Sequence, residues 1–390
     1  MLKLYSNEII KARPEWNINN LKEEKLAGLS NNNYIIRNTL DNDLVLLKIY
    51  KTNKIIDVQK IKKISKQNFC GNILCEFEQG YIQQWIKGRT LLYSDLNVII
   101  LTKIAKKLKQ FHEAMNMNHN DLSFDNILLT DSGDIEFIDF EYCDDRNPEY
   151  DIGNFFCEWM YNYDQPEWWN YNIKNFPSKS QITFFCKIYL DTDDKTIIES
   201  FIINIFKQIE ICHKYWIKWA LKMNVFEYNL YAFLRNKLVE TDLHKYILNN
   251  RVIYCDGVFD LLHSGHLKLF AQIKKIGCKK LIVGVISDKN VCSYKRHPII
   301  SLKQRCKLLK HITLVDKVIE NCPFNSITKD FLDNNGIDLV TYGADSNMED
   351  PLGIWKKHYQ VALDRNAFKL IDYSHGESTT NIIKKCKCSE

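Results

Sequence analysis

The sequence predicts an α/β protein of two domains, and three observations carry that prediction. Its 390 residues exceed what one hydrophobic core ordinarily organises. At Asn249-Asn250 the apolar pattern changes from helical spacing to short buried runs separated by turns. Two unrelated polar signatures stand on either side of that change, His119-Asn-Asp-Leu-Ser-Phe-Asp-Asn126 and His263-Ser-Gly-His266. The domains are accordingly placed at 1–248 and 249–390.

Taken in order, residues 33–50 alternate apolar and polar side chains around Asp41-Asn-Asp43, the pattern of a β-hairpin in a small antiparallel lobe. A Lys-rich helical stretch follows, and then Ile73-Leu-Cys-Glu-Phe and Tyr81-Ile-Gln-Gln-Trp-Ile flank Glu78-Gln-Gly80 as a second hairpin. Between Leu96 and Glu113 the spacing of Ile99, Ile100, Ile104, Leu108 and Phe111 is helical, and helices dominate again from Gln181 to Leu248. Ile127-Leu-Leu and Ile135-Glu-Phe-Ile138 form strands joined by the turn Asp131-Ser-Gly-Asp134. In the second domain Val252-Ile-Tyr-Cys is a buried strand, Ser264 to Ile276 a helix stopped by Gly277, and Lys280-Leu-Ile-Val-Gly-Val-Ile a second strand. That β-α-β order predicts a right-handed parallel crossover. Ile337-Asp-Leu-Val-Thr-Tyr and Phe368-Lys-Leu-Ile extend a doubly wound parallel sheet.

Bulk properties exclude several classes. The net charge of +5, 53 basic minus 48 acidic residues, is spread along Lys-rich helices rather than gathered in one tract, which argues against nucleic acid as the main partner. Thirteen cysteines without CxxC spacing read as reduced thiols rather than a disulfide framework. No apolar run approaches the roughly 18 residues of a membrane-crossing helix, and the N-terminus has no secretory h-region. A soluble cytoplasmic protein is expected.

The first signature suits phosphoryl transfer from a nucleotide. That reaction needs a carboxylate to orient the attacking hydroxyl and accept its proton, here Asp121, and oxygen ligands for Mg²⁺, here Asn126 and Asp139. A base five residues before a metal-ligating amide, followed by a carboxylate on the adjacent hairpin, brings all three to one cleft. These residues, with Ile138-Asp-Phe-Glu-Tyr142 and Asp151-Ile-Gly-Asn-Phe-Phe-Cys-Glu-Trp159, resemble the choline/ethanolamine kinase family from about Gly28 to Arg235. The resemblance implies a protein-kinase-like α+β domain that uses ATP. It puts the nucleotide loop at Gly28-Leu-Ser-Asn31, including Ser30 and Asn31, a phosphate-contacting cation at Lys48, and a further family segment at Gly88-Arg-Thr-Leu91.

It also implies a site for a quaternary ammonium head at Tyr142, Glu158, Tyr163, Trp216, Trp219 and Tyr231. A cation without N–H groups is held by ring faces and a nearby carboxylate, worth about 0.5 to 2 kcal/mol per desolvated ring. Away from that context, Trp216 and Trp219 at helical spacing are ordinary core aromatics. One departure concerns the partner of Lys48: Ile56-Asp-Val-Gln-Lys-Ile61 offers no glutamate at the expected place, so Asp57 or Glu76 substitutes or the lysine is held otherwise.

In the second signature, His263 and His266 lie three residues apart at a helix start, on one face, beside unpaired backbone N–H groups and the positive end of the helix dipole. That is a cradle for triphosphate. The stretch Cys255-Asp-Gly-Val-Phe-Asp-Leu-Leu-His-Ser-Gly-His266 resembles the cytidylyltransferases that make CDP-alcohols, over about Arg251 to Lys384, with further matches at Lys295, Arg305, Val315-Asp316, Tyr342-Gly343, Asp345 and Ser378-Thr-Thr380. The resemblance implies a Rossmann-like nucleotidyltransferase domain in which a phosphomonoester attacks the α-phosphate of CTP. His263, His266, Lys295 and the helix start at Ser378, Thr379 and Thr380 would bind phosphates, Gly257, Val258 and Phe259 would approach the nucleotide, and Arg305 belongs to the same set. The arginine the family carries before its last helix is replaced by Tyr373, with His375 and Arg365 as candidate substitutes.

The two halves together imply a bifunctional enzyme that phosphorylates choline or ethanolamine and then cytidylylates the product for phospholipid synthesis. Its small-molecule partners are the amino alcohol, ATP and CTP, and the second family implies a homodimer through the C-terminal domain. Two rivals stay open: a chain in which one half has decayed to a nucleotide-binding regulator, and an aminoglycoside-type kinase joined to a glycerol-phosphate cytidylyltransferase.

Overall fold

A computed structural model of the chain describes residues 1–26, 31–51, 57–344, 352–372 and 379–387. It divides into two compact units, Met1–Glu158 and Trp159–Glu390. This division lies upstream of the 248/249 boundary expected from the sequence, because the helices between Lys179 and Asn249 belong with the parallel sheet that follows them.

The first unit runs α1 (Ser6–Ala12), β1 (Leu21–Leu26), β2 (Asn31–Asn38), β3 (Leu44–Tyr50), α2 (Val58–Lys66), β4 (Ile73–Phe77), β5 (Gly80–Gln84), β6 (Gly88–Thr90), α3 (Val98–Met115), β7 (Ile127–Thr130), β8 (Ile135–Phe137) and α4 (Pro148–Glu158). An antiparallel sheet ordered β1-β2-β3-β5-β4 buries Ile36, Val45, Leu47 and Ile82 against Tyr5, Ile9 and Trp16. Both hairpins stand where alternation placed them. Strand β1 carried no signal because Leu21-Lys-Glu-Glu-Lys-Leu26 exposes its central residues and is a strand only by pairing with β2. Helix α3 is capped by the Asn97 side chain and buries Ile100, Ile104, Leu108 and Phe111. Ile99, expected in that stripe, is 67% exposed. Strands β6, β7 and β8 form a small sheet beside the His119–Asn126 loop.

The second unit begins with α5 (Lys179–Leu190), α6 (Lys195–Lys222), α7 (Phe226–Glu240) and α8 (Leu243–Asn249). It continues through β9 (Arg251–Gly257), α9 (Ser264–Lys275), β10 (Cys278–Val285), α10 (Asp288–Cys292), α11 (Leu302–Lys310), β11 (Lys317–Glu320), α12 (Lys329–Asn334), β12 (Leu339–Ala344), α13 (Gln360–Asp364), β13 (Phe368–Asp372) and α14 (Thr379–Lys387). The sheet is ordered β11-β10-β9-β12-β13 and is parallel throughout. Alternation along β9 feeds two cores: Ile253 and Cys255 pack on one face with Leu269, Phe270 and Val283, Val252 and Tyr254 on the other with Ile282, Val340 and Tyr359. Strand order reverses between β9 and β12, so their carboxyl ends open onto the crevice where such sheets take ligands. Among the described residues, no helix is long and apolar enough to cross a membrane.

Candidate active sites

In the first unit, Asn126 closes a short 3-10 turn, Phe124–Asn126, and donates from Nδ2 to both the backbone oxygen and Oδ2 of Asp121, each at 2.9 Å. Asp139 follows β8 in a left-handed conformation (φ 59°), a strained geometry that aims its carboxylate back toward β3. There Oδ1 accepts from Lys48 Nζ at 2.5 Å. Burial alone would push the Lys48 ammonium down, but Asp139, aided by Glu141, holds it above its ordinary value. This answers the question of its partner: Asp57 caps α2 and Glu76 pairs with Lys62, so neither substitutes for the absent glutamate. Asn31 donates to Glu141 at 3.2 Å. Ser30 and Gly28 lie outside the described residues.

Asp121 is raised well above the usual carboxylate range, first by burial and then by the charges of Glu158, Asp139 and Glu141, against the lowering effect of Asn126. The expected base therefore shares its surroundings with the expected amine-binding acid, Glu158, and with one expected metal ligand. Tyr142 belongs to the same unit, and its carbonyl accepts from Asn120 Nδ2 at 2.9 Å.

What shapes the loop is a residue that sequence reasoning quoted without a role. The fully buried Asp151 of α4 accepts from the backbone N–H of His119 and of Asn120, each at 2.6 Å, and meets His112 Nε2 at 2.9 Å. One turn later, Asn154 accepts from Leu122 N–H at 2.6 Å. Two side chains of one helix thus pin the backbone on both sides of Asp121. His119 Nε2 meets the Ile138 carbonyl at 2.8 Å, tying the loop to the strand end that presents Asp139.

In the second unit the expected aromatics join one continuous cluster. Tyr163 stacks on Tyr161 (5.9 Å between centroids), Tyr231 lies 5.6 Å from Tyr161 and 5.7 Å from Trp168, Trp168 is 5.1 Å from Tyr228, Tyr228 is 5.5 Å from Trp219, and Trp219 is 5.4 Å from Trp216. Trp168 and Tyr228 were missed. Their signal was present in the spacing of Tyr228 and Tyr231 on α7 and in the pair Trp168-Trp169, which a helix-and-strand reading leaves in a loop.

The third assembly surrounds α9. His263 is its N-cap: Nδ1 accepts from Gly265 N–H at 3.2 Å, and His266 Nδ1 accepts from His263 N–H at 3.4 Å. The expected cradle of unpaired backbone N–H groups is therefore partly filled by the imidazoles themselves. Their Nδ1 atoms are acceptors, so the rings, 3.9 Å apart, carry their protons on Nε2. Burial, then the neighbouring His263, lowers His266 to about 3. Phe259, in a left-handed conformation (φ 53°), packs its ring 5.3 Å from His266, and a Cβ at Gly257 would meet that ring at 3.1 Å.

Asp260 organises this region, although the motif that contains it gave it no role. Its carboxylate accepts from Ile299 N–H, Ile300 N–H and Arg296, each at 3.0 Å, and its carbonyl accepts from Thr379 Oγ1 at 2.8 Å. The exposed Lys295 precedes this tied loop. Arg305 is fully buried and spends its guanidinium on the carbonyls of Ile300, Val258 and Ile286 and on Asp288, so it braces the Val258 turn from behind. Arg365, a candidate to replace the missing family arginine, is committed to Asp333 by bonds of 2.7 and 3.1 Å. Asp345, Tyr373, His375 and Ser378 lie outside the described residues, as does the side chain of Thr380.

At the carboxyl end of β9, Asp256 accepts from Tyr359 at 2.6 Å and from Tyr254 at 3.2 Å, and meets His358 at 2.8 Å. Close by, Tyr294, Phe324 and Trp355 form an aromatic trio with centroids 5.0 to 5.8 Å apart. Burial first, then Tyr342 and Asp256, pushes the Tyr294 hydroxyl up to about 12, which places the trio within electrostatic reach of that carboxylate. Sequence reasoning missed this trio because its members come from three separate segments of the chain.

Residues 23–118 and 113–248 match the family profile of choline/ethanolamine kinase, and residues 254–385 that of the cytidylyltransferase-like family. The chain is 34% identical over 139 residues to ethanolamine-phosphate cytidylyltransferase of Dictyostelium discoideum, covering 35% of this chain and 38% of that one. It is 37% identical over 140 residues to choline-phosphate cytidylyltransferase of Saccharomyces cerevisiae, covering 34% and 31%. It thus spans 38% and 31% of the length of these relatives. A choline kinase from Cryptosporidium parvum shares the fold, with a TM-score of 0.55 at 17% identity over 64% of this chain and 95% of that one. The kinase profile takes in more than half of the residues, and the chain belongs to the choline/ethanolamine kinase family, with a cytidylyltransferase-like module following the kinase segment.

Proposed function

We propose that the chain phosphorylates choline with ATP and then joins the phosphocholine to CMP from CTP. The observation that carries this reading is that each half holds an aromatic cluster suited to the same head group. One contains Tyr163, Trp168, Trp219, Tyr228 and Tyr231, and the other is the Tyr294, Phe324 and Trp355 trio near Asp256. A trimethylammonium group is recognised by ring faces and a carboxylate, whereas a primary ammonium calls for hydrogen-bond acceptors.

In the first step the choline hydroxyl attacks the γ-phosphorus of ATP, its proton passes to Asp121, and ADP leaves. The raised proton affinity of Asp121 suits it to accept that proton, and Asn126 holds the receiving carboxylate. Asp139 and Asn126 fit Mg²⁺, since the carboxylates of Asp121, Asp139, Glu141 and Glu158 crowd one region. Among the described residues no three His, Cys, Asp or Glu side chains form a metal cage. Bound there, Mg²⁺ would neutralise phosphate charge.

In the second step a phosphocholine oxygen attacks the α-phosphorus of CTP and pyrophosphate leaves. The Nε2–H groups of His263 and His266 donate to the phosphates, with Lys295 and Thr379 alongside, so catalysis is alignment and charge stabilisation. The test is a coupled assay with ATP, CTP and Mg²⁺ that compares choline with ethanolamine and follows both ADP and pyrophosphate. Choline should give the higher kcat/KM for both products. A preference for ethanolamine overturns the choice of head group, and release of neither product overturns the enzyme.

A further inference from the structure

Within the second unit, the segment that matches the kinase family and the parallel-sheet module share a buried polar seam. On the sheet side stand Lys279 at the start of β10, Asp338 just before β12, and Gly336 in the turn after α12. On the helical side stand Phe176, the N-terminus of α5, and Tyr246 of α8. Asp338 uses one carboxylate oxygen for Val252 N–H, in its own module, at 2.7 Å, and the other for Ser180 N–H at 2.9 Å. Ser180 lies in the first turn of α5, where a negative charge meets the positive end of the helix dipole. The buried Lys279 donates to the Phe176 carbonyl at 2.7 Å, and its ammonium lies 5.7 Å from the Tyr246 ring centre. Two opposite charges of the sheet module thus satisfy backbone groups that the helices leave open.

The seam is also close in shape. Gly336 has φ 59°, and a Cβ there would sit 2.7 Å from Gln181 Cδ and 2.9 Å from its Oε1. Gln181 cannot simply swing away, because its Oε1 accepts from Ser178 N–H at 3.0 Å in the capping box of α5. Behind the contact, Phe176 packs 6.2 Å from Phe206 on α6, and Phe206 lies 4.8 Å from His244 on α8. The seam therefore reaches α6, which carries Trp216 and Trp219.

We infer that this surface makes the helices from Lys179 to Asn249 and the parallel-sheet module one cooperative folding unit, so that the aromatic cluster on α6 and α7 is held by the nucleotidyltransferase half. The compact division of the chain at Glu158/Trp159, inside the kinase match, agrees with it. A general adaptor between two self-sufficient domains would instead leave a polar, solvated contact.

The test uses the full chain and amide hydrogen exchange followed along a thermal ramp. Gly336→Asn keeps a residue type that tolerates the left-handed backbone and places its side chain against Gln181. It should speed exchange in residues 178–190 about tenfold and separate the loss of protection in 179–249 from that in 251–344, which should coincide in the unaltered chain. Gly336→Asn combined with Gln181→Ala should bring the two back together, which distinguishes a wedge from damage to the turn. Lys279→Met, which leaves the Phe176 carbonyl without its donor, should speed exchange in the same segment without the wedge. Separate transitions in the unaltered chain, or unchanged exchange at 178–190 in both Gly336→Asn and Lys279→Met, overturn the inference.

Discussion

Asp121 and His266 are both titratable groups whose surroundings oppose their charged form, and the consequences differ in sign. Asp121 keeps its proton to higher pH than an ordinary carboxylate, so ADP release should fall as pH drops through that raised value. Asp121→Asn should cut the kinase rate by about a hundredfold to ten-thousandfold and leave pyrophosphate release from supplied phosphocholine intact. His266 is lowered from 6.5 to about 3, so the fold prefers its neutral ring. The unfolded chain takes up a proton as pH falls through 6.5 while the folded one does not, so this contribution is complete above 6.5 and is lost as pH falls toward 3. Denaturant titrations across that range should show the slope, and His266→Asn, which cannot ionise, should reduce it. That Asp121 and Asn126 meet was legible because they lie five residues apart in one loop. Asp260 and Asp256 were not, because what they do depends on N–H and O–H groups some 36 to 119 residues away.

At the scale of elements, the His119–Asn126 loop is held by a helix rather than by itself. Asp151 takes two backbone N–H groups and the His112 ring, and an amide in its place would set an NH₂ against donors. Asp151→Asn should therefore cost about 2 to 3 kcal/mol in the first unit and lower kcat more than it raises KM for ATP, with the second activity as an internal control. On the other unit, Asp260→Asn should slow pyrophosphate release and raise KM for CTP, since the loop after Lys295 and the start of α14 both hang on that residue. Unchanged kinetics would show the ties to be incidental. Hairpins and the β-α-β core were legible because their signals are local: Asp41-Asn-Asp43 and Gly277 mark turns by conformational need, with Asn42 and Gly277 at positive φ. Strand β1 and strand β11 were not, since both are short, exposed and made strands only by a neighbour.

For the whole molecule, the proposed pair of reactions poses one choice: whether phosphocholine leaves the protein between them. The product of the first step is small, zwitterionic and strongly hydrated, and the groups that would hold it in the second step, Asp256 and the Tyr294, Phe324 and Trp355 trio, lie at a strand end that such sheets open to ligand. Passage through solvent is the simplest route. Two singly silenced chains decide it. Asp121→Asn removes the proposed base of the first reaction. His263→Asn removes the proposed phosphate donor of the second while keeping a side-chain oxygen to cap Gly265 N–H, so α9 should stay formed. Neither variant alone should make CDP-choline from choline. Mixed, they should restore it after a lag that shortens as the protein concentration rises, because the intermediate must first accumulate to the level the second site requires. A mixture that stays silent while each partner retains its remaining activity would mean that phosphocholine passes only within one chain.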